Sequence, residues 1–322
     1  MKKDTVTKDY IKDTTIFADI FNYYIYGGKQ IIKPEQLIAR DSVELALPYG
    51  ADDSVVPVQK FRDVQKLYAA MTDGNAEYVL YGVENQSSVH YAMPVKNNLY
   101  DALEYAGQVE EAAKSHRRSM KLARQQESIP IKTPNAGEFL SGFWKEDRLI
   151  PSITLTIFFS SEVWDGPLSL SDMMDISDPS ILACMNNYQI HLIAPSQMTE
   201  DEINKFQSSL REVFFFIKYS KDKEKLTEIL ERDKARFQNL ERRAADVIKI
   251  ITNSKFKYKE SEKVINVCQA IQDMLKETEL KKSKEVAKNF HEMGLDVENI
   301  AQGIGYPLDT VKEWLGLTSK NS

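Results

Sequence analysis

The sequence predicts an α/β fold followed by a mostly α-helical C-terminal region. Three observations carry this reading. Two stretches of strand composition flank an Asp73-Gly74 turn. A helical apolar period follows them from Pro94 to about Arg124. Beyond about residue 220 the strand signal stops, and Lys- and Glu-rich helical patterns take over.

The elements follow in order. Tyr10, Ile16, Phe17, Ile20, Phe21 and Tyr24 recur at helical spacing and predict a helix over 10–26, stopped by Gly27-Gly28. Residues 34–60, with Pro34, Pro48, Gly50 and Pro57, read as a short element and a loop. Residues 61–71 and 77–86 read as a hairpin, because Asp-Gly supplies the positive φ such turns need. Pro94 suits the first turn of the long helix, whose expected buried face is Val95, Leu99, Ala102, Leu103, Ala106, Val109 and Ala113. Residues 151–159 and 189–194 are β-branched or aromatic and read as strands. Thr199 to Glu202 is a capping box opening a helix with Ile203, Phe206, Leu210, Val213, Phe214 and Ile217 on one face. Helices are expected over 222–251, 258–292 and 296–316.

Composition bounds the function. With 322 residues, 42% hydrophobic and 28% charged, the chain reads as ordinary soluble protein that needs no metal or disulfide to fold. Two cysteines, Cys184 and Cys268, exclude a disulfide framework and a four-thiolate metal cluster. Four histidines, never paired at i,i+4, argue against a His-rich zinc site. A net charge of −6 argues against a non-specific nucleic-acid coat but permits a local basic patch. No apolar run is long enough to span a membrane, and Met1-Lys-Lys-Asp-Thr opens no secretory signal, so a cytoplasmic location without membrane attachment is expected.

The hairpin carries the chemistry. Strand parity puts Asp63 and Gln65 on one face, and Gly82, Glu84 and Gln86 on one face of the partner strand. If the faces coincide, two carboxylates converge. Carboxylates about 4 Å apart repel by roughly 4 kcal/mol at an effective dielectric of about 20, so such a pair needs a cation or a shared proton. Oxygen donors without His or Cys suit Mg²⁺ or Mn²⁺. The residues alone equally allow plain strand-end charges with no metal.

The order and spacing of several short motifs go further. Phe61-Arg-Asp-Val-Gln, Tyr78-Val-Leu-Tyr-Gly-Val-Glu-Asn-Gln-Ser-Ser, His90-Tyr-Ala-Met-Pro-Val-Lys, Glu138-Phe-Leu-Ser-Gly-Phe, Ile150-Pro-Ser-Ile-Thr-Leu and Trp164-Asp-Gly-Pro-Leu together resemble the recombination-promoting nuclease family. Those proteins, also labelled transposases, belong to the PD-(D/E)XK nuclease superfamily. The likeness runs from about Phe17 to Trp314.

The resemblance implies a restriction-endonuclease-like mixed sheet flanked by helices. It implies a metal-dependent DNA endonuclease that promotes recombination or serves a mobile element or phage defence. Asp63 and Glu84 match the metal-binding acids, and the carbonyl of Asn85 a further ligand to Mg²⁺ or Mn²⁺. Gln86 stands where many relatives carry lysine, and Arg62 replaces the motif proline. A neutral Gln86 can only hydrogen-bond, so another cation is needed. Lys96, with Tyr100 at i+4, is the candidate to touch phosphate. Asp19 matches an acidic residue of the first core helix. DNA would be held by Lys96, Arg117, Arg118 and Lys121, continued by Arg124, although a solvated helix end explains the last four as well.

The expected organisation is a nuclease-like domain over 1–220, a charged helical region over 221–292 and a helix-turn-helix-like tail over 293–322. The tail's second helix offers few DNA-reading side chains, which favours docking or dimerisation. A homodimer is what double-strand cutting would require. The competing reading is a nuclease-fold scaffold without catalysis that binds DNA or protein.

Overall fold

The computed structural model describes residues 3–39, 43–46, 58–61, 63–72, 75–125, 132–259 and 261–317. The Asp73-Gly74 turn and Arg62 lie outside the described residues.

The first expected helix is two: α1 (Lys3–Ile11) and α2 (Thr14–Tyr26). The break falls where Asp13 turns its carboxylate onto the N–H of Thr15 at 2.8 Å and caps α2. Gly27, at φ +63°, ends α2 as its position suggests. The strands β1 (Leu37–Ala39), β2 (Val43–Ala46), β3 (Val58–Phe61), β4 (Val64–Thr72) and β5 (Asn75–Gln86) follow. Then come α3 (Met93–Gln125), α4 (Ala136–Ser141), β6 (Ser152–Phe158), α5 (Pro179–Ala183) and β7 (His191–Ile193).

Five of these strands form one sheet in the order β1-β4-β5-β6-β7. The β1/β4 and β4/β5 pairs are antiparallel, and β5/β6 and β6/β7 are parallel, so the sheet is mixed. The strands β2 and β3 make a separate ribbon, and β2 lies along α3.

The two faces of the sheet differ in chemistry. One carries Val64, Tyr68, Tyr81, Val83, Leu155, Ile157 and Ile193, buried against the aromatics of α2. Phe21 stacks on Tyr81 with ring centroids 4.2 Å apart. The other carries Gln65, Glu84, Thr154 and Thr156, all buried, and α3 covers it. The helix therefore meets the sheet through a polar stripe. Asn97 donates to Thr156 Oγ1 at 2.9 Å, Thr154 donates to Asp101 at 2.8 Å, and Gln65 donates to Glu104 at 3.1 Å. This corrects the expected buried face over the first turns of α3, although Ala113 further along is buried as expected. Val95 and Leu99 are exposed, because a sheet face of hydroxyls and amides selects the helix stripe that can satisfy it.

The capping box at Thr199 opens only α6 (Glu200–Ile203); a second helix, α7 (Leu210–Tyr219), follows after a break. Five further helices, among the described residues, are α8 (Lys223–Arg232), α9 (Lys234–Gln238), α10 (Arg242–Ile251), α11 (Val267–Glu292) and α12 (Val297–Ile304), and α13 (Leu308–Trp314) closes the series. Two short strands, β8 (Leu240–Glu241) and β9 (Val264–Ile265), pair between α9 and α11, which is why the expected helices over 222–251 and 258–292 are interrupted. The hydrophobic core under the sheet continues through Ile229, Phe237, Ile248, Phe256 and Ala270. A separate small cluster of Ala287, Ile300, Ala301 and Val311 joins the end of α11 to α12 and α13. Among the described residues, no helix is long and apolar enough to cross a membrane.

Candidate functional site

The site is built by hairpin register. Thr72 pairs with Asn75 and Val64 with Val83, so the next residue outward, Asp63, stands opposite Glu84. The two faces coincide. The Asp63 N–H lies 3.4 Å from Glu84 Oε1, and Asp63 Oδ2 accepts the Asn85 N–H at 2.9 Å. The aspartate is part-exposed at the mouth of the hairpin, whereas Glu84 is only 1% exposed.

The first turns of α3 deliver cationic and phenolic groups. Lys96 Nζ lies 2.6 Å from Glu84 Oε2 and 5.6 Å from the centre of the Tyr100 ring. The i,i+4 spacing of Lys96 and Tyr100 puts both on the stripe that faces the sheet. Lys8, from α1, brings its Nζ to 3.9 Å from Asp63 Oδ1. Two acids and two lysines thus alternate around one strand end. Lys8 has no local sequence signal; only the packing of α1 against β5 places it there.

Asn85 points its side chain to the opposite, apolar face. There it is buried, and neither amide atom finds a partner among the described residues. Toward the carboxylates it presents only backbone. Gln86, two residues beyond Glu84, shares the site face and is part-exposed. Asp19 is committed elsewhere. Buried on α2, it accepts the N–H of Gln207 at 2.9 Å, the N–H of Ser208 at 2.8 Å and the Ser208 hydroxyl at 2.6 Å. Those three bonds fix the break between α6 and α7.

Arg117, Arg118, Lys121 and Arg124 are exposed on the far half of α3. At about 1.5 Å per residue the stripe begins roughly 30 Å along the helix from Lys96.

The donor set fits a hard divalent ion: two carboxylates on one face, beside the backbone of Asn85, with no soft ligand. Among the described residues no group of three or more His, Cys, Asp or Glu is gathered for a metal, so a third ligand would come from backbone. A cavity of about 500 Å³ lined by Asp13, Ser209, Glu212, Arg236 and Glu241 lies elsewhere. Its polar groups are already paired, with Arg236 on Glu212 at 2.6 Å and Tyr10 on Ser209 at 2.7 Å.

Comparison with protein families, with curated proteins and with solved structures finds no match for this chain.

Proposed function

We propose that the chain is a metal-dependent DNA endonuclease with a PD-(D/E)XK-like core. The observation that carries the reading is the antiparallel register that sets Asp63 opposite Glu84, with Lys96 closing on Glu84 from the adjoining helix. Asp63, Glu84 and the Asn85 carbonyl would hold Mg²⁺ or Mn²⁺. Such an ion supplies a water of lowered pKa and stabilises charge building on the phosphate.

The remaining roles belong to the chain's own groups. Gln86 hydrogen-bonds the attacking water or a phosphate oxygen. Lys96 has two occupations: it neutralises Glu84 in the free protein and can swing its ammonium to the phosphate when another cation takes over the carboxylate. Tyr100 donates its hydroxyl to a phosphate oxygen. Lys8 supplies positive charge beside Asp63, which offsets the neutral Gln86. Arg117, Arg118 and Lys121 hold the duplex at a distance. Cleavage of both strands would call on a second copy of the chain.

One observation favours a second reading. The Lys96–Glu84 pair balances the buried charge with no metal, as a scaffold that only binds DNA or protein would need.

Plasmid nicking with Mg²⁺, Mn²⁺ or EDTA separates the two. The nuclease reading expects metal-dependent cutting that Asp63→Ala and Glu84→Ala both abolish. Absence of cutting on supercoiled, linear and single-stranded DNA, with no metal-induced rise in melting temperature, would leave the scaffold.

A further inference from the structure

Among the described residues, three buried side-chain polar atoms find no hydrogen-bond partner. Two belong to the Asn85 amide, on the apolar face of the sheet. The third is Oδ1 of Asn97, on the side of the sheet that carries the carboxylates. Asn97 is 0% exposed and stands in the first turns of α3. Buried acceptors are satisfied in the great majority of cases, so an unmet one calls for a donor from outside the chain. The next acceptors along the same helix stripe show the contrast. Asp101 accepts three hydroxyls, from Tyr188 at 2.6 Å, Thr154 at 2.8 Å and Ser152 at 3.1 Å. Glu104 accepts the side-chain amides of Gln65 and Gln108.

Position ties the unmet oxygen to the hairpin site. Asn97 Nδ2 donates to Thr156 Oγ1 at 2.9 Å. Thr156 is the register partner of Glu84 across the parallel β5/β6 pair, so the two side chains share a face on strands roughly 5 Å apart. The residue before Asn97 is Lys96, whose ammonium lies 2.6 Å from Glu84 Oε2. The amide is thus clamped one strand away from the more buried acid of the site. Tethering α3 to β6 uses its nitrogen and leaves its oxygen over. That oxygen can only accept. Beside a carboxylate that is 1% exposed it deepens the negative potential, which favours a cation that brings its own hydrogens. Mg²⁺ meets that description, because it keeps several waters when one or two carboxylates bind it.

We propose that Asn97 is a positioning residue for the divalent ion of the hairpin site, its Oδ1 accepting a hydrogen bond from a water of the ion's shell. The inference rests on Asp63 and Glu84 holding an ion, as in the nuclease reading, but does not need the chain to cut DNA. It gives the site an oxygen contact from α3, whereas Asp63, Glu84 and the Asn85 backbone all come from the hairpin.

The test titrates the full chain with Mn²⁺, without DNA, and reads the free ion by electron paramagnetic resonance. The wild type should bind and Asp63→Ala should not, which places the ion at the hairpin. Asn97→Leu keeps the side-chain volume but offers no acceptor. It should bind Mn²⁺ about 10- to 100-fold more weakly, the usual effect of removing a group that orients what the metal holds. Asn97→Asp keeps an acceptor in place and adds charge. It should melt below the wild type in EDTA, bind Mn²⁺ more tightly, and gain more in melting temperature when Mn²⁺ is added. A bare tether to Thr156 predicts something else: lower stability in EDTA with wild-type affinity for Mn²⁺. Equal Mn²⁺ binding by wild type and Asn97→Leu would therefore overturn the proposal, as would an Asn97→Asp that binds no more tightly than the wild type. Should Asn97→Leu fail to fold, the Asn97→Asp comparison decides alone. Ion binding that survives Asp63→Ala, or no binding by the wild type, would remove this proposal and the nuclease reading together. If both Asn97 variants shift Mn²⁺ binding as expected but no DNA is cut, the nuclease reading fails and the role of Asn97 stands.

Discussion

Lys96 Nζ sits 2.6 Å from Glu84 Oε2, and that one contact joins the long helix to the most withdrawn acid of the hairpin. The two ends differ in exposure, 28% for the lysine and 1% for the glutamate side chain. Losing the lysine therefore takes the ammonium away from a buried carboxylate, whereas losing the glutamate leaves a cation that water can reach.

Lys96→Met should cost about 3 kcal/mol, the lower end of the range for removing one member of a buried pair, because water can partly replace an ammonium that is not fully covered. Glu84→Gln in the same background should recover most of the loss, giving a favourable coupling in a double-mutant cycle. Urea melts of the four proteins measure it. If the carboxylates bind Mg²⁺, millimolar Mg²⁺ should also restore part of the Lys96→Met loss, since a ligand that binds only the folded chain stabilises it. Additive costs would show that the pair carries no coupling.

Asp19 provides a contrasting case on the same α/β body. Its carboxylate receives three donors from residues 207 and 208, so Asp19→Ala should destabilise by about 3 kcal/mol through stranded backbone N–H groups. The response of the melting temperature to Mg²⁺ should be unchanged. A variant of normal stability that no longer responds to Mg²⁺ would move Asp19 into the metal site.

These two acids show what the sequence made legible. The sequence placed two strands around Asp73-Gly74 and put Asp63 and Glu84 each on a defined face, but whether those faces coincide waited on the register of Thr72 with Asn75 and Val64 with Val83. The strand at 152–158 was readable from its β-branched and aromatic composition, and the extent of α3 from its helical period. The rotation of α3 was not. Its apolar stripe is a real helical period, yet the sheet face below is polar, and Thr154, Thr156 and Gln65 are too few and too scattered in sequence to announce that face. Asp19 and Lys8 were illegible for another reason. Their partners lie 188 and 55 residues away, and no local pattern encodes such a distance. The helices past residue 220 kept their composition but lost their continuity to the β8–β9 pairing.

His191 should make stability depend on pH just below neutrality. Burial pushes its pKa below the ordinary 6.5, with Asp101 opposing more weakly, and the Tyr24 hydroxyl lies 3.0 Å from Nδ1. The folded chain then binds fewer protons than the unfolded one, so stability is full above about pH 6.5 and falls as the pH drops through the lower folded value. Urea midpoints at pH 7.5 and 5.5 should differ in the wild type and converge in His191→Gln. The comparison stays above pH 5 because Glu200, held down by Arg232 and Tyr219, adds its own loss only below its ordinary 4.5. Equal midpoints in the wild type would remove His191 as the source.

The cationic stripe makes a prediction independent of any chemistry at the hairpin. Arg117, Arg118 and Lys121 are exposed, and none is tied in an ion pair among the described residues. Each is free to displace a counterion from a phosphate. Replacing any one by alanine should weaken duplex binding evenly across sequences and reduce the slope of log affinity against log salt by about 0.9. Lys114 is the internal control, because it already pairs with Glu110 at 3.1 Å and should contribute less. Fluorescence anisotropy in EDTA between low and physiological salt reads all four variants on one duplex. A slope unchanged by the three substitutions would confine the stripe to favourable charges at a helix end, and DNA would have to be held by another surface.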